Sequence, residues 1–283
     1  MQNKGFDLSV GHQGDRWNAT LQGSHYKNEI LKIDGVQDFF YGPVTTRFGN
    51  QVINKVGQPI GAFYGYVANG YFNTDAEVAA CKAAGTQPGC ELGRLKWKDV
   101  NGDGKITADD RVIIARSYDN PRWQGSLNNR FTFGRADVSV LATARVGFLI
   151  NDSFTAAYNS LAGRFNNIET NYWTPENQTG TDPRPSTNGL GAYAGARNYV
   201  SGSFVRIRDI TLGYTFDNRL ASHIYASRAR LYVRAQDPFI FTKYKGWDPE
   251  AGYNAGNGNS QQSQADVGGP AYRTLLFGID LGF

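Results

Sequence analysis

The sequence predicts an all-β protein, an antiparallel transmembrane β-barrel seen as a C-terminal fragment with long extracellular loops. Three observations carry this expectation. Apolar and polar residues alternate with period 2 in several segments, and short connections alternate with long ones. No apolar run approaches the roughly 18–20 residues that a membrane helix needs. Composition agrees: of 283 residues, 34 are Gly, 16 Tyr and 17 Phe, against a single Met. Mean hydropathy is negative, at −0.47. A barrel strand turns only every second residue to lipid, so its average never looks hydrophobic.

The strands come in order. Phe6, Leu8 and Val10 alternate with Asp7, Ser9 and Gly11. After Gln13-Gly14-Asp15, residues Trp17, Ala19 and Leu21 alternate with Asn18, Thr20 and Gln22, which reads as a hairpin. A second hairpin sets Trp123, Leu127, Phe131 and Phe133 against Gln124, Asn128, Arg130 and Thr132 and turns near Gly134-Arg135. It returns with Val138, Val140, Ala142, Ala144, Val146 and Phe148 on one face. Further strands are expected at 203–216, at about 228–241 and at 271–283. In the last, Leu275, Phe277, Ile279, Leu281 and Phe283 share a face opposite Thr274, Gly278, Asp280 and Gly282.

The connections run short (near 13–15), very long (about 28–121), short (134–135), long (about 149–202), moderate (217–227) and long (about 242–270). A soluble antiparallel sandwich, its apolar faces forming an internal core, has no reason to put every long loop at one end. A membrane barrel has short periplasmic turns and longer extracellular loops. With the C-terminus in the periplasm, the apolar faces meet lipid while Arg, Asn, Gln and Thr line a wet lumen. Closure removes the free edges that lipid cannot satisfy by hydrogen bonding. The residues after Met1 read as a strand and not as the signal peptide an outer-membrane protein needs, so the chain is expected to lack its beginning.

The formal charge of +4 is spread along the chain without a block of Lys and Arg, which argues against nucleic-acid binding. Cys81 and Cys90 lie nine positions apart in a Gly/Ala/Thr/Pro-containing stretch. Such a loop closes as a disulfide in an oxidising compartment, the alternative being two unpaired thiols. Two Cys and three scattered His give no support for a zinc site.

The sharpest local motif runs from Asp99 to Asp110. Asp99, Asn101 and Asp103 stand at loop positions 1, 3 and 5, Gly104 at the sharp turn, the Lys105 carbonyl at 7 and Asp110 at 12. This is the oxygen spacing of a calcium loop, with Ile106 as its apolar anchor and Asp110 in place of the Glu of many EF-hands, as in dockerin-type loops. GRLKWK ahead of it is too short for a good amphipathic helix, so a paired EF-hand sensor is not expected. The alternative is an Asx-rich turn without metal. In either form the loop is expected to rigidify a long connection.

The order and spacing of several motifs resemble the C-terminal end of the SusC/RagA family of TonB-dependent outer-membrane transporters. They are Gly57-Gln-Pro59, Phe63-Tyr-Gly-Tyr66, Gly70-Tyr-Phe72, the Asp99–Asp110 loop and Trp173-Thr-Pro-Glu-Asn177. Phe204-Val-Arg-Ile-Arg208 with Leu212-Gly-Tyr214, Thr242-Lys-Tyr244 with Gly246, Asp248-Pro-Glu250, and Gly269-Pro270 leading to Phe283 complete the set. The resemblance implies a plug inside a barrel of about 22 strands and a SusD-like lipoprotein over the mouth. It further implies import of oligosaccharides or peptides with energy from the TonB complex through the missing N-terminal part. It covers residues 1–283 as one part of the barrel, the last quarter or third, with the plug absent. A local departure is Gln236-Asp237-Pro238, where the family usually has Gln-Asn-Leu.

Eight strands closed alone would be filled by their own side chains, so transport is expected of a longer protein. Substrate contacts would come from Tyr64, Tyr66, Tyr71, Trp173 and Tyr193, unless these pack within loops or sit in an interfacial girdle. Phe283 resembles the signal read by the barrel-assembly machinery, and outer-membrane lipid is the surrounding partner. A competing reading is a calcium-stabilised extracellular β-rich binding or adhesion module. A hydrolase is not expected, because Asp248 and Glu250 read as a loop turn and no convergent acid/base pair or nucleophile stands out.

Overall fold

The computed structural model describes residues 1–42, 52–115, 121–152, 171–186, 199–223, 225–246, 248–250, 264–265 and 272–283. The strands are β1 (Gln2–Gln13), β2 (Trp17–Glu29), β3 (Phe39–Tyr41), β4 (Val52–Lys55), β5 (Ala62–Gly65), β6 (Ala68–Tyr71), β7 (Leu95–Trp97) and β8 (Val112–Ala115). They continue with β9 (Trp123–Phe133), β10 (Ala136–Val146), β11 (Leu149–Asp152), β12 (Tyr199–Ser201), β13 (Phe204–Thr215), β14 (Arg228–Thr242), β15 (Gln264–Ala265) and β16 (Thr274–Gly282). Two α-helices are described, α1 (Asp75–Ala84) and α2 (Asn218–Ser222), with one 3-10 turn at Ala108–Asp110.

Seven long strands make one antiparallel sheet in the order β1-β2-β9-β10-β13-β14-β16. Each is laid beside its predecessor among these seven, so the sheet is a meander interrupted by insertions. The register shows why the alternation matters. Val10, Leu21, Leu127, Ala142, Ile207 and Phe239 are successive cross-strand partners, and so are Trp17, Phe131, Val138, Leu212, Val233 and Phe277. Two apolar rows therefore cross the sheet on one face, and Val10, Leu21, Leu127, Leu212, Phe239 and Phe277 are exposed there. Trp17 stacks on Phe131 with centroids 6.1 Å apart, and its indole Nε1 donates to Asn129 Oδ1 at 3.2 Å. The opposite face is polar: Ser9, Gln22, Ser126, Thr143 and Arg206 form the matching row.

The turns after β1, β9 and β13 lie at one end with the end of β16, because Gln13 pairs with Asn18, Phe133 with Ala136, Thr215 with Arg230, and Arg228 with Gly282. The three long connections leave from the other end. The short loop at Gly134 is made possible by its φ of 62°, a left-handed conformation that glycine adopts without strain. Phe148 departs from the face its spacing suggested. Gly147, at φ 84°, breaks β10, and Phe148 turns into a cluster with Ile150, Phe204 and Tyr244.

The long connections carry structure of their own. The first contains a small sheet in the order β3-β4-β5-β8 and the β6-β7 pair, and the second and third contribute a β12-β11-β15 sheet. Val52, Ile53, Ala62 and Phe63 are buried in the first of these. Tyr199 from the second connection stacks on Phe63 at 4.4 Å, joining two connections into one body.

Candidate functional site

The polar face of the long sheet is the candidate site. A groove of 630 Å³ follows the row named above and is lined by Asp7, Ser9, Gln22, Ser126, Thr143 and Arg208, among others. Its walls are hydroxyls and amides, with Ser126 Oγ donating to Gln22 Oε1 at 3.3 Å. Nearer the short-turn end, Arg230 on β14 bridges Asp137 on β10 and Asp280 on β16, at 2.8 and 3.2 Å. Arg234 pairs with Asp209. No such charges interrupt the two apolar rows, so the two faces differ in kind.

Nearer the long-connection end the charges converge. Arg206 is almost fully buried and donates from Nη2 to Asp248 Oδ1 at 2.5 Å, with Nε 2.9 Å from Glu250 Oε2. Arg208 donates from Nη2 to both Glu250 oxygens at 2.6 and 2.7 Å, from Nη1 to Asp237 at 3.3 Å, and from Nε to Thr143 Oγ1 at 3.0 Å. The pairing joins two motifs of the sequence, Phe204-Val-Arg-Ile-Arg208 and Asp248-Pro-Glu250. The turn expected at Asp248 and Glu250 is present, but sequence reasoning missed its partners. Arg208 is left out of the register on β13, where the adjacent residues Leu141 and Ala142 of β10 face Asp209 and Ile207, and on β14 Asp237 and Pro238 are left out between Gln236 and Phe239. These are β-bulges, which re-aim side chains.

The departure at Gln236-Asp237-Pro238 falls on this bulge. Asp237 has φ 47°, and β14 continues beyond it to Thr242. Proline has no N–H to offer a ladder and is tolerated within a sheet at a bulge. The strand therefore does not stop there.

The remaining expected residues sit in the first and second connections. Cys81 and Cys90 are bonded with Cα atoms 5.9 Å apart, yet Cys81 lies in helix α1 and not in a loop as the composition suggested. Thr74 and Glu77 form a capping box, Gly85 ends the helix at φ 60°, and Val78 and Cys81 are its buried residues. They pack with Phe72, Cys90 and Leu92. Lys96 at 2.7 Å and the Asn73 amide hold the Glu77 carboxyl below the usual carboxylate range. Within GRLKWK, Leu95–Trp97 form strand β7, clamped by Gln87, whose Nε2 donates to Leu95 O at 2.9 Å while its Oε1 accepts from Trp97 N at 3.0 Å.

In the acidic loop the side chains close on their own backbone. Asp99 accepts from Gly102 N at 2.6 Å and Gly104 N at 2.8 Å, Asn101 from Asp103 N at 3.0 Å, and Asp103 from Lys105 N at 2.8 Å. Asp110 is 0% exposed and accepts from Val100 N at 2.8 Å and Thr107 N at 2.7 Å. The amides of Thr107 and Val100 push its carboxyl below the ordinary range. Ile106 is buried, as its anchor position implied, and its N–H reaches Thr86 O at 2.7 Å. Among the described residues no group of three or more His, Cys, Asp or Glu is placed to hold a metal ion.

Of the aromatic residues considered for substrate contact, Trp173 is 1% exposed, donates to Asn73 Oδ1 at 2.8 Å and packs on Gly93. It belongs to the core of the loop body, not to a binding surface. Tyr64 is half-buried under the Arg111 guanidinium, 4.5 Å from its centroid, and burial raises its phenol. Tyr66 and Tyr71 are also half-buried. Tyr193, with Gly269-Pro270, lies outside the described residues. Phe283 follows β16 and is exposed.

No model of a known protein family matches the chain. Individual relatives do. It is 28% identical over 298 residues to TonB-dependent receptor P3 of Formosa agariphila, covering 100% of this chain and 29% of that protein. It is 25% identical over 298 residues to TonB-dependent receptor SusC of Bacteroides thetaiotaomicron, covering 100% of this chain and 26% of that protein. From end to end, this chain is similar to TonB-dependent receptors of the SusC/RagA family. Among solved structures, the RagAB peptide transporter superposes with a TM-score of 0.73 at 22% identity, over 99% of this chain and 29% of that one. The likeness gives the fold of the sheet, an antiparallel arrangement shared with part of that structure. The chain spans under a third of the length of these relatives.

Proposed function

We propose that this chain forms the C-terminal barrel wall and outer loops of an outer-membrane TonB-dependent transporter, which imports oligosaccharides or peptides beneath a SusD-like lipoprotein. Energy would reach it from the TonB complex through the N-terminal part of the longer protein, and the chain itself would have no enzymatic activity. The observation that carries the reading is the pair of exposed apolar rows on one face of a sheet whose other face holds buried and half-buried ion pairs. Lipid suits the first face and a wet lumen the second. The strands β1 to β14 of the long sheet have 11 to 15 residues, enough to cross a bilayer when tilted by about 45°. A water-soluble adhesion module would leave both rows in water, where contiguous apolar patches rarely exceed a few hundred Å².

Within this reading β1 and β16, the edges of the described sheet, pair with further strands of the longer protein, because lipid leaves no unpaired edge satisfied. Phe283 is proposed as the residue read by the barrel-assembly machinery. The oxygen spacing of Asp99, Asn101, Asp103, Lys105 and Asp110 supports a proposed structural Ca2+ in the first connection. Both Asp110 oxygens already accept backbone hydrogen bonds, so that ion would bind to a loop already closed.

Envelope fractionation of the natural gene product tests the main reading. It should be in the outer membrane, and its migration on a gel should change on boiling, as a folded barrel's does. Recovery in the soluble fraction, or migration indifferent to heating, would overturn it.

A further inference from the structure

We infer that Arg206 and Arg208 are positioning residues that fix the first part of the third long connection, through Asp248 and Glu250, against the polar face of the wall as an inward-held strap. The inference takes that face as the lumen and so rests on the proposed function. Three observations converge on it. First, Arg206 and Arg208 together meet three carboxylates, Asp237, Asp248 and Glu250, with Arg206 and Asp248 both more than nine-tenths buried. A buried arginine cannot shed its charge, so it needs such acceptors, and removing them leaves an uncompensated ion.

Second, the backbone is shaped for the contact. Strict alternation puts Arg206 and Arg208 on the polar face with Ile207 between them, and the bulge after Ile207 makes Arg208 the residue without a cross-strand partner. Its guanidinium is thus free of the flat row and turns towards Glu250. On the neighbouring strand, Asp237 falls between Ala235 and Phe239, whose register partners Ile210 and Ile207 are apolar. Its positive φ is the departure that brings its carboxylate to the arginines instead of lipid. A non-glycine residue there carries a conformational cost, which the two arginine contacts offset.

Third, the strap is held at separate points. Tyr244 packs with Phe148, Ile150 and Phe204, Asp248 and Glu250 are held by the arginines, and Gln264–Ala265 pairs in parallel with Asn151 and Asp152. Arg208 also lines the polar groove, so the fastening lies on the path along this face. Among the described residues of the third connection, Asp248 and Glu250 thus rest on the wall, and the two arginines decide where.

Hydrogen exchange followed by mass spectrometry on the whole natural protein in detergent tests this. The amides of Tyr244 and Glu250, which donate to Thr242 Oγ1 and Asp248 Oδ1, report the strap, and those of the β9–β10 hairpin report the wall. Arg206→Gln with Arg208→Gln should speed exchange in 243–250 by at least about tenfold while β9–β10 stays protected. Glu250→Arg alone should do the same, and Arg208→Glu combined with Glu250→Arg should restore protection, which a general loss of packing would not. Unchanged exchange in 243–250, or a swap as fast as its single variants, overturns the inference. If the double arginine variant loses β9–β10 protection as well, Glu250→Gln decides alone by the same criterion. Heat-modifiable migration of the unsubstituted protein reports the barrel separately, so failure of the strap and failure of the barrel reading are distinguishable.

Discussion

Arg230 on β14 reaches Asp137 on β10 across the whole width of β13, donating from Nε to Oδ1 at 3.0 Å and from Nη2 to Oδ2 at 2.8 Å. It can do so because the residue it passes over is Gly213, where a Cβ would collide with the guanidinium. Gly213 pairs with both Asp137 and Tyr232, and Tyr232 in turn lies over Gly278 of β16. Glycine thus opens the polar face twice so that long side chains can span strands.

Filling that space should therefore cost stability. Gly213→Val displaces the Arg230 guanidinium and leaves Asp137, whose side chain is 7% exposed, short of its partner. Breaking a buried pair in this way costs about 3 kcal/mol. Thermal unfolding in detergent should show a lower midpoint for Gly213→Val and a similar one for Arg230→Gln. A double variant no worse than either single one would confirm that both act through the same contact, and additive losses would refute it.

The loop body should depend on Trp173. Trp173→Ala empties a fully buried site and is expected to destabilise that body by about 3–5 kcal/mol. Gly93→Val should act in the same direction, since a side chain there meets the indole and the left-handed φ of 74° is unfavourable for valine. Limited proteolysis should release fragments from 72–97 and 171–186 together while the long sheet resists. Cleavage confined to one of the two segments would contradict their mutual packing.

Reduction of Cys81–Cys90 should loosen the same body. Closing so short a loop contributes about 2–3 kcal/mol, and the bond joins α1 to the segment that Gln87 clamps onto β7. Cys81→Ser with Cys90→Ser should raise hydrogen exchange in 75–97 without affecting β13 or β14. Exchange equal to the wild type would show that Phe72, Val78 and Leu92 suffice without it.

The acidic loop should respond to acid. The carboxyls of Asp110 and Glu77 are held below their usual range by hydrogen bonds from backbone amides and from Lys96. The folded loop therefore binds protons more weakly than the unfolded chain. Its stabilisation is complete above the ordinary carboxylate range of about 4 and is lost as pH falls through the lowered values. Protection in 99–110, corrected for the intrinsic pH dependence of amide exchange, should fall below about pH 4, whereas in Asp110→Asn it should be reduced already at neutral pH and change less with acid. Calcium at millimolar concentration should protect the loop further if it binds, with no such effect in Asp99→Ala. Indifference of the intact protein to calcium would remove the metal proposal and leave the Asx turns as the explanation.

Much of the candidate site was legible in parts and not as a whole. Arg206, Arg208, Asp248 and Glu250 stood out as motif residues, but alternation says only which face a side chain takes, never which loop returns to meet it. Helix α1 was missed although Thr74, Glu77 and Gly85 spell its two ends. Those signals are local and were available, but a ten-residue helix inside a long connection lacks the strong periodicity that draws attention. Trp173 illustrates the opposite limit. An exposed stacking ring and a buried one are the same residue in sequence, and only the approach of Gly93 decides between them.

By itself, the sequence determined the sheet. Period-2 spacing sets the two faces of the long strands outside the bulge at Arg208 and Asp237, and connection lengths set which end each loop leaves from, because both are properties of a single chain segment. The tertiary structure alone decided the cross-strand reach of Arg230, the bulge at Arg208 and the pairing of Asp248 and Glu250 with Arg206 and Arg208. Those depend on register and on contacts between segments far apart in the chain, 93 residues for Arg230 and Asp137, where no local pattern carries the information.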